Sequence, residues 1–185
     1  GLKPYVITGL GLARTFQNIR LFKNMTVLDN VKLAMNKSVR YSALAAVLRL
    51  PSYYREEQRI LNEAMELLEV VGLAEKKQVL AKNLPYGQQR KLEIARALAA
   101  KPKILFLDEP AAGMNPQETT ELTELIHQIK EQFNLTVVLI EHDMSLVMKI
   151  CERIYVLDYG KCIAQGTPEA IKNNRRVIEA YLGED

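Results

Sequence analysis

The sequence predicts an α/β fold with a parallel sheet core and a large helical insertion. Three observations carry this. Residues 103–157 alternate strand, helix, strand, helix, strand, and that order implies parallel strands joined by right-handed crossovers. The strand candidates at 103–107 and 135–140 are short apolar runs, which suits strands covered on both faces. Residues 26–100, by contrast, read almost entirely as helix.

The elements follow in order. Residues 12–16 (Leu-Ala-Arg-Thr-Phe) suit a short strand, and Thr26 can N-cap a helix over 26–35. Residues 41–54 are mixed and predict a helix and a loop ending near Pro51. From Glu56 to Val71, the residues Ile60, Leu61, Ala64, Leu67, Leu68 and Val71 share one helical face, and Gly72 follows as the C′ residue. Residues 88–100 are good helix formers stopped by Pro102. Asn115-Pro116-Gln117-Glu118 is a helix start, with a cap, a proline at N1 and a glutamate at N3. That helix runs to about Gln132. Asp143 can cap a short helix from Met144. Residues 153–157 and 161–165 suit two strands joined by a turn at Gly160, and Thr167-Pro168 opens a last helical stretch.

Composition narrows the function classes. The 185 residues are 48% hydrophobic and 25% charged, ordinary values for a globular chain and against disorder. Lys and Arg number 25 against 22 Asp and Glu, a net charge of +3 with the basic residues scattered among acids. No nucleic-acid partner is expected from such a balance. Cys151 and Cys162 are the only cysteines, too few for a disulfide framework, so a reduced compartment is the simpler reading. No apolar stretch approaches the roughly 20 residues of a membrane span.

Four places could carry chemistry. Asp108 and Glu109 end an apolar strand candidate, where ligands bind in open α/β sheets. One carboxylate there can hold Mg²⁺ beside phosphates while the other orients or deprotonates a water; a solvated acidic turn is the alternative. Leu84-Pro85-Tyr86-Gly87-Gln88-Gln89 directly precedes a strong helix, so its amides and the helix dipole suit an anion, or it is an ordinary N-terminal turn. His142 follows the second apolar strand, level with the acidic pair if the strands are parallel neighbours. There it would reach a phosphate oxygen or a water's surroundings, or simply sit in a capping turn. Gln17 follows the first strand and has little weight alone. His127 lies off the apolar face of its helix and reads as surface.

In this order, with a helical segment between Gln17 and Leu84, the chain resembles an ATP-binding cassette (ABC) transporter ATPase. Gln17 matches the Q-loop, Leu84 to Gln88 the signature motif, and Ile104 to Glu109 the Walker B strand with its glutamate. Ala112-Gly113-Met114-Asn115 matches the D-loop and His142 the H-loop. The stretches Arg-Thr-Phe-Gln-Asn-Ile-Arg-Leu-Phe, Tyr-Gly-Gln-Gln-Arg-Lys-Leu-Glu-Ile-Ala-Arg-Ala-Leu and Asp-Glu-Pro-Ala-Ala-Gly-Met-Asn-Pro look most like the ATPase subunit of branched-chain amino-acid importers.

The resemblance implies a P-loop NTPase (RecA-like) core over 1–20 and 101–185, interrupted by a helical signature subdomain over 21–100. It implies ATP and Mg²⁺ as cofactors. Asp108 would hold the metal through water, Glu109 would polarise the attacking water, and His142 would contact the γ-phosphate. Gln17 would sense the metal or water and link the site to the membrane partner. Leu84, Pro85, Tyr86, Gly87 and Gln88 would cap ATP held by a second ATPase subunit in a head-to-tail dimer, with Asn115 at that interface. The helical subdomain would dock on transmembrane permease subunits, placing the chain in the cytoplasm on the inner face of the membrane.

Three departures qualify this. Pro85 and Tyr86 stand where the common signature has Ser and Gly, so a serine contact to the γ-phosphate is lost. Asn115 stands where the D-loop usually has Asp. No Gly-x-x-x-x-Gly-Lys-Ser/Thr string occurs, and Gly160-Lys161-Cys162 does not replace it. That loop cradles the β- and γ-phosphates, and in the family it precedes the Q-loop. The chain is therefore expected to be the N-terminally incomplete part of a longer ATPase, inactive alone and with an unpaired sheet edge. The competing readings are a non-catalytic interaction fragment that keeps only the signature side, and a non-transport ABC ATPase such as one in DNA repair. A long coiled coil or basic channel would favour the last, and neither is visible.

Overall fold

A computed structural model describes residues 1–35 and 42–182. Residue 41, the first of the mixed 41–54 segment, lies outside them. The chain forms two compact units, residues 1–140 and 141–185.

The first unit opens with α1 (Pro4–Gly9), a short helix with Pro4 in its first turn and no buried residue. The sequence reading missed it, because it has no apolar face to mark it. Strand β1 (Leu12–Arg14) follows. It ends two residues earlier than predicted: Thr15 still donates its amide to the Phe106 carbonyl at 2.9 Å, but the chain then leaves the ladder.

Among the described residues, four α-helices lie between β1 and the next strand. Thr26 caps α2 (Val27–Ala34) by accepting from the Asp29 amide, and Ser42 caps α3 (Ala43–Val47) in the same way. Helix α4 (Pro51–Val70) starts at Pro51 rather than after it. Proline is tolerated at a first helical position, where its missing N–H has no intrahelical acceptor to lose. Gly72 adopts φ +69° as the expected C′ residue. Helix α5 (Tyr86–Ala99) begins two residues earlier than predicted, with Pro85 at its N-cap. Helices α2, α4 and α5 lie against one another, burying Val27, Val31, Ala64, Leu68, Leu92 and Ile94 almost completely. Each fully buried Val, Leu or Ile side chain among them contributes about 1.5–3 kcal/mol.

Strands β2 (Ile104–Asp108) and β3 (Thr136–Ile140) join β1 in a parallel sheet of order β1-β2-β3. Arg14 is level with Phe106, and Asp108 with Ile140. Helix α6 (Pro116–Gln132) connects β2 to β3. Its predicted start is a full capping box between Asn115 and Glu118, and it buries Leu122, Leu125, Ile126 and Ile129. Leu105 and Leu107 of the central strand are fully buried. The predicted two-faced burial fails for β3, where Thr136, Val138 and Ile140 are exposed. Among the described residues β3 pairs only with β2, and one of its faces is uncovered.

The second unit contains α7 (Met144–Ile150), β4 (Ile154–Asp158), β5 (Lys161–Gly166), α8 (Pro168–Lys172) and α9 (Arg175–Leu182). Val147, Ile154, Val156, Ile171 and Val177 form its core. The third strand of the predicted parallel run is hydrogen-bonded differently. Its ladder partner is β5, antiparallel, through a two-residue turn in which Tyr159 (φ +42°) and Gly160 (φ +77°) are both left-handed. That geometry matches the strand twist of a tight hairpin.

Candidate functional site

The parallel register brings the acidic pair and Gln17 together. At the C-terminal end of β2, Asp108 is half-buried and its Oδ2 accepts from Arg14 Nη2 at 2.6 Å. The Asp108 amide points to the Thr15 hydroxyl at 3.4 Å. Glu109 leaves the strand at φ +44°, an uncommon conformation for a residue with a side chain. Its amide still donates to the Ile140 carbonyl of β3 at 2.9 Å, which ties the turn to the sheet while aiming the carboxylate elsewhere. Gln17 Nε2 donates to Glu109 Oε2 at 2.7 Å. A carboxamide donor there sets the carboxylate's orientation without adding charge.

The other predicted residues divide between the two units. Leu84 is buried and Pro85 precedes α5 without a side-chain cap. No acid lies in the first turn of α5, so its leading amides and the positive end of the dipole suit an anion. Tyr86 is exposed, its ring 3.5 Å from where a Cβ on Gly113 would stand. Gly87 is buried against Glu118: a Cβ on it would fall 2.6 Å from Glu118 Oε1. Gln88 Oε1 accepts from Lys76 Nζ at 2.8 Å. Asn115 uses its side chain on its own helix, Oδ1 accepting from the Glu118 amide at 2.9 Å.

His142 is the second residue of the second unit and is exposed, with Glu141 Oε2 3.8 Å from Nδ1. Asp143 caps α7 as predicted, accepting from the amides of Ser145 and Leu146. The Ser145 hydroxyl, with those amides, holds its carboxyl below the usual range. His127 is exposed, as expected.

Sequence reading missed Arg14, Arg90 and Glu93. Arg14 neutralises Asp108. Arg90 and Glu93 are buried on α5 and ion-paired at 2.8 Å. A charged pair three apart on an otherwise apolar helix face was the available signal.

Among the described residues no group of three or more His, Cys, Asp or Glu could hold a metal ion. The carboxylate of Asp108 at the strand end nevertheless fits Mg²⁺, which typically takes one or two carboxylates and completes its shell with waters and substrate phosphates.

Comparison with known proteins decides the family. The ABC transporter family model matches residues 6–112. This chain belongs to the ABC transporter ATP-binding family. A model for the branched-chain amino acid ATP-binding cassette transporter matches residues 161–185. The chain is 49% identical over 184 residues to LivG of Escherichia coli (strain K12), a high-affinity branched-chain amino acid transport ATP-binding protein, covering 100% of this chain and 72% of that one. It is 47% identical over 184 residues to BraF of Pseudomonas aeruginosa, again with 72% of that protein covered. Among solved structures, the ADP conformation of MJ1267, an ATP-binding cassette of an ABC transporter, superposes with a TM-score of 0.79 at 32% identity. It covers 99% of this chain and 72% of that one. The ABC cassette fold thus confirms the α/β class. No helix among the described residues is long and apolar enough to cross a membrane.

Proposed function

We propose that this chain is the ATPase subunit of a branched-chain amino-acid importer, working on the inner face of the membrane with a second ATPase subunit and permease subunits. The observation that supports it most is the convergence of Asp108, Glu109 and Gln17 at one end of the sheet, with Gln17 bonded to Glu109 at 2.7 Å. The 49% identity to LivG supplies the transport class.

In this reading bound Mg²⁺ would supply positive charge beside the nucleotide phosphates. The chain's own residues do the rest. Asp108 would hold the metal, giving up the Arg14 guanidinium it accepts from at 2.6 Å. Glu109 orients a water and accepts its proton, and Gln17 keeps that carboxylate aimed. His142 donates to the γ-phosphate. The Leu84–Gln88 turn offers amides to the nucleotide of the partner subunit, and Asn115 lies at the dimer interface.

ATP turnover and uptake of leucine, isoleucine and valine by the transporter reconstituted with its permease in vesicles test the reading. Turnover without uptake of any of the three would overturn the substrate class. Residues 1–185 contain no Gly-x-x-x-x-Gly-Lys-Ser/Thr string, so by themselves they are expected to bind Mg-ATP weakly or not at all. Tight binding in calorimetry would refute that expectation. The missing string also favours a second reading, a non-catalytic piece that keeps only the signature side. Turnover in the reconstituted transporter that vanishes with Glu109→Gln would exclude it.

A further inference from the structure

Arg90 is fully buried on α5, yet two of its four partners lie outside that helix. Nη1 donates to the Phe16 carbonyl at 2.7 Å and to Glu93 Oε2 at 2.8 Å. Nη2 donates to the Gln17 carbonyl at 2.9 Å and reaches the Tyr86 hydroxyl at 3.4 Å. Both carbonyls belong to the segment where β1 leaves its ladder. Glu93 completes the arrangement, its Oε1 accepting from the Arg20 amide at 3.2 Å. One guanidinium thus spans residues 16 and 17, while its counter-ion holds residue 20.

Burying an arginine is costly unless its donors are filled and its charge is paired. Here the charge has Glu93, and both terminal nitrogens donate to consecutive backbone carbonyls, while the buried Nε has no hydrogen-bond partner among the described residues. A planar fork can bridge both; a lysine ammonium is a single point and cannot do so in the same geometry. Core packing alone does not require that specificity, because an apolar side chain of similar volume fills a buried site at least as well. What the fork secures is the path of Phe16 and Gln17, and with it the reach of Gln17 Nε2 to Glu109 Oε2.

We infer that Arg90 is a positioning residue for hydrolysis: it clamps the Q-loop backbone to the signature helix so that Gln17 meets Glu109. The inference rests on the proposed ATPase reading for its catalytic consequence and on the hydrogen bonds alone for the clamp. Because the Tyr86 hydroxyl lies 3.4 Å from Arg90 Nη2, the clamp also links the signature turn to the residue that orients Glu109.

The test uses Arg90→Lys, which keeps the charge opposite Glu93, and Glu93→Gln, which keeps the shape of the pair. In the 185-residue chain, amide hydrogen exchange over residues 15–20 is expected to speed up about tenfold in Arg90→Lys, with the amides of α5 beyond Lys91 unchanged. Glu93→Gln is expected to act in the same direction and less strongly. In the reconstituted transporter, Arg90→Lys is expected to lower kcat about tenfold, with KM for ATP within about twofold. In a Gln17→Ala background the same change is expected to alter kcat by less than about twofold, because the effect passes through Gln17. Uniform loosening of α5, or multiplicative kcat losses in the double variant, would overturn the proposal. A wild-type transporter without turnover would defeat the ATPase reading, and hydrogen exchange would still decide the clamp.

Discussion

The carboxamide of Gln17 donates to Glu109 across 2.7 Å, although 92 positions separate the two residues. The contact exists because β1 runs parallel to β2 in a register that sets Arg14 beside Phe106. Three residues further on, each strand has delivered its polar residue to the same end of the sheet.

Glu109→Gln is expected to leave ATP binding by the transporter nearly unchanged and to lower turnover about 10²- to 10⁴-fold, the usual contribution of a positioned general base. An amide preserves shape but cannot accept the proton of the water. Nucleotide binding and steady-state hydrolysis, measured on the same preparation, check this; undiminished turnover would assign the base elsewhere.

Gln17→Ala removes the donor that aims Glu109. Turnover is expected to fall about 10- to 100-fold, since small misplacements of a catalytic group are costly. Binding of ATP is expected to persist. A KM effect with kcat intact would mean that Gln17 contacts the nucleotide rather than the carboxylate.

Gly87→Ala places a methyl 2.6 Å from Glu118 Oε1 and 3.0 Å from its Cδ. Glu118 cannot retreat without releasing the Asn115 amide it accepts from at 3.1 Å. Alanine is the better helix former by about 1 kcal/mol, but overpacking typically costs about 1–3 kcal/mol and a lost cap about 1 kcal/mol. A net loss of stability is expected, and Glu118→Ala in the same chain should turn the substitution neutral or stabilising. Thermal melts of the two single variants and the double variant decide it.

Glu63 supplies a pH dependence. The Lys101 ammonium, ion-paired with Glu63 Oε2 at 2.9 Å, does most to hold this carboxyl below the ordinary 4.5, and Arg59 adds to it against the penalty of burial. The unfolded chain therefore takes up this proton first as pH falls. The stabilisation is complete above pH 4.5 and is lost as pH drops below it through the folded value. Melting temperatures from pH 7 to 3 are expected to fall less steeply below pH 4.5 in Glu63→Gln than in wild type. Parallel curves would show that the pair contributes nothing.

Much of this protein was legible in its residues because the signals are local. The Asn115-Pro116-Gln117-Glu118 start, the Asp143 cap, the turn at Gly160 and the face Ile60–Val71 each depend on spacings of a few positions. The acidic pair and the signature turn were legible because a strand end and a helix start are marked by sequence alone. Pro51 was misread for the same reason: proline is compatible with both the end and the beginning of a helix, and only the packing of the residues after it chooses between them.

The sequence by itself determined the α/β class, the order of the motifs and the resemblance to the ABC family. The tertiary structure alone decided which polar groups meet. The bonds of Arg90 to Phe16 and Gln17, of Arg14 to Asp108 and of Gln17 to Glu109 span 73 to 94 positions. They depend on strand register and on the face α5 turns inward. The same holds for β3, whose apolar run reads as a doubly covered strand until its neighbours are known. A residue's chemistry is written in its side chain, but its partner is set by long-range pairing that no local spacing encodes.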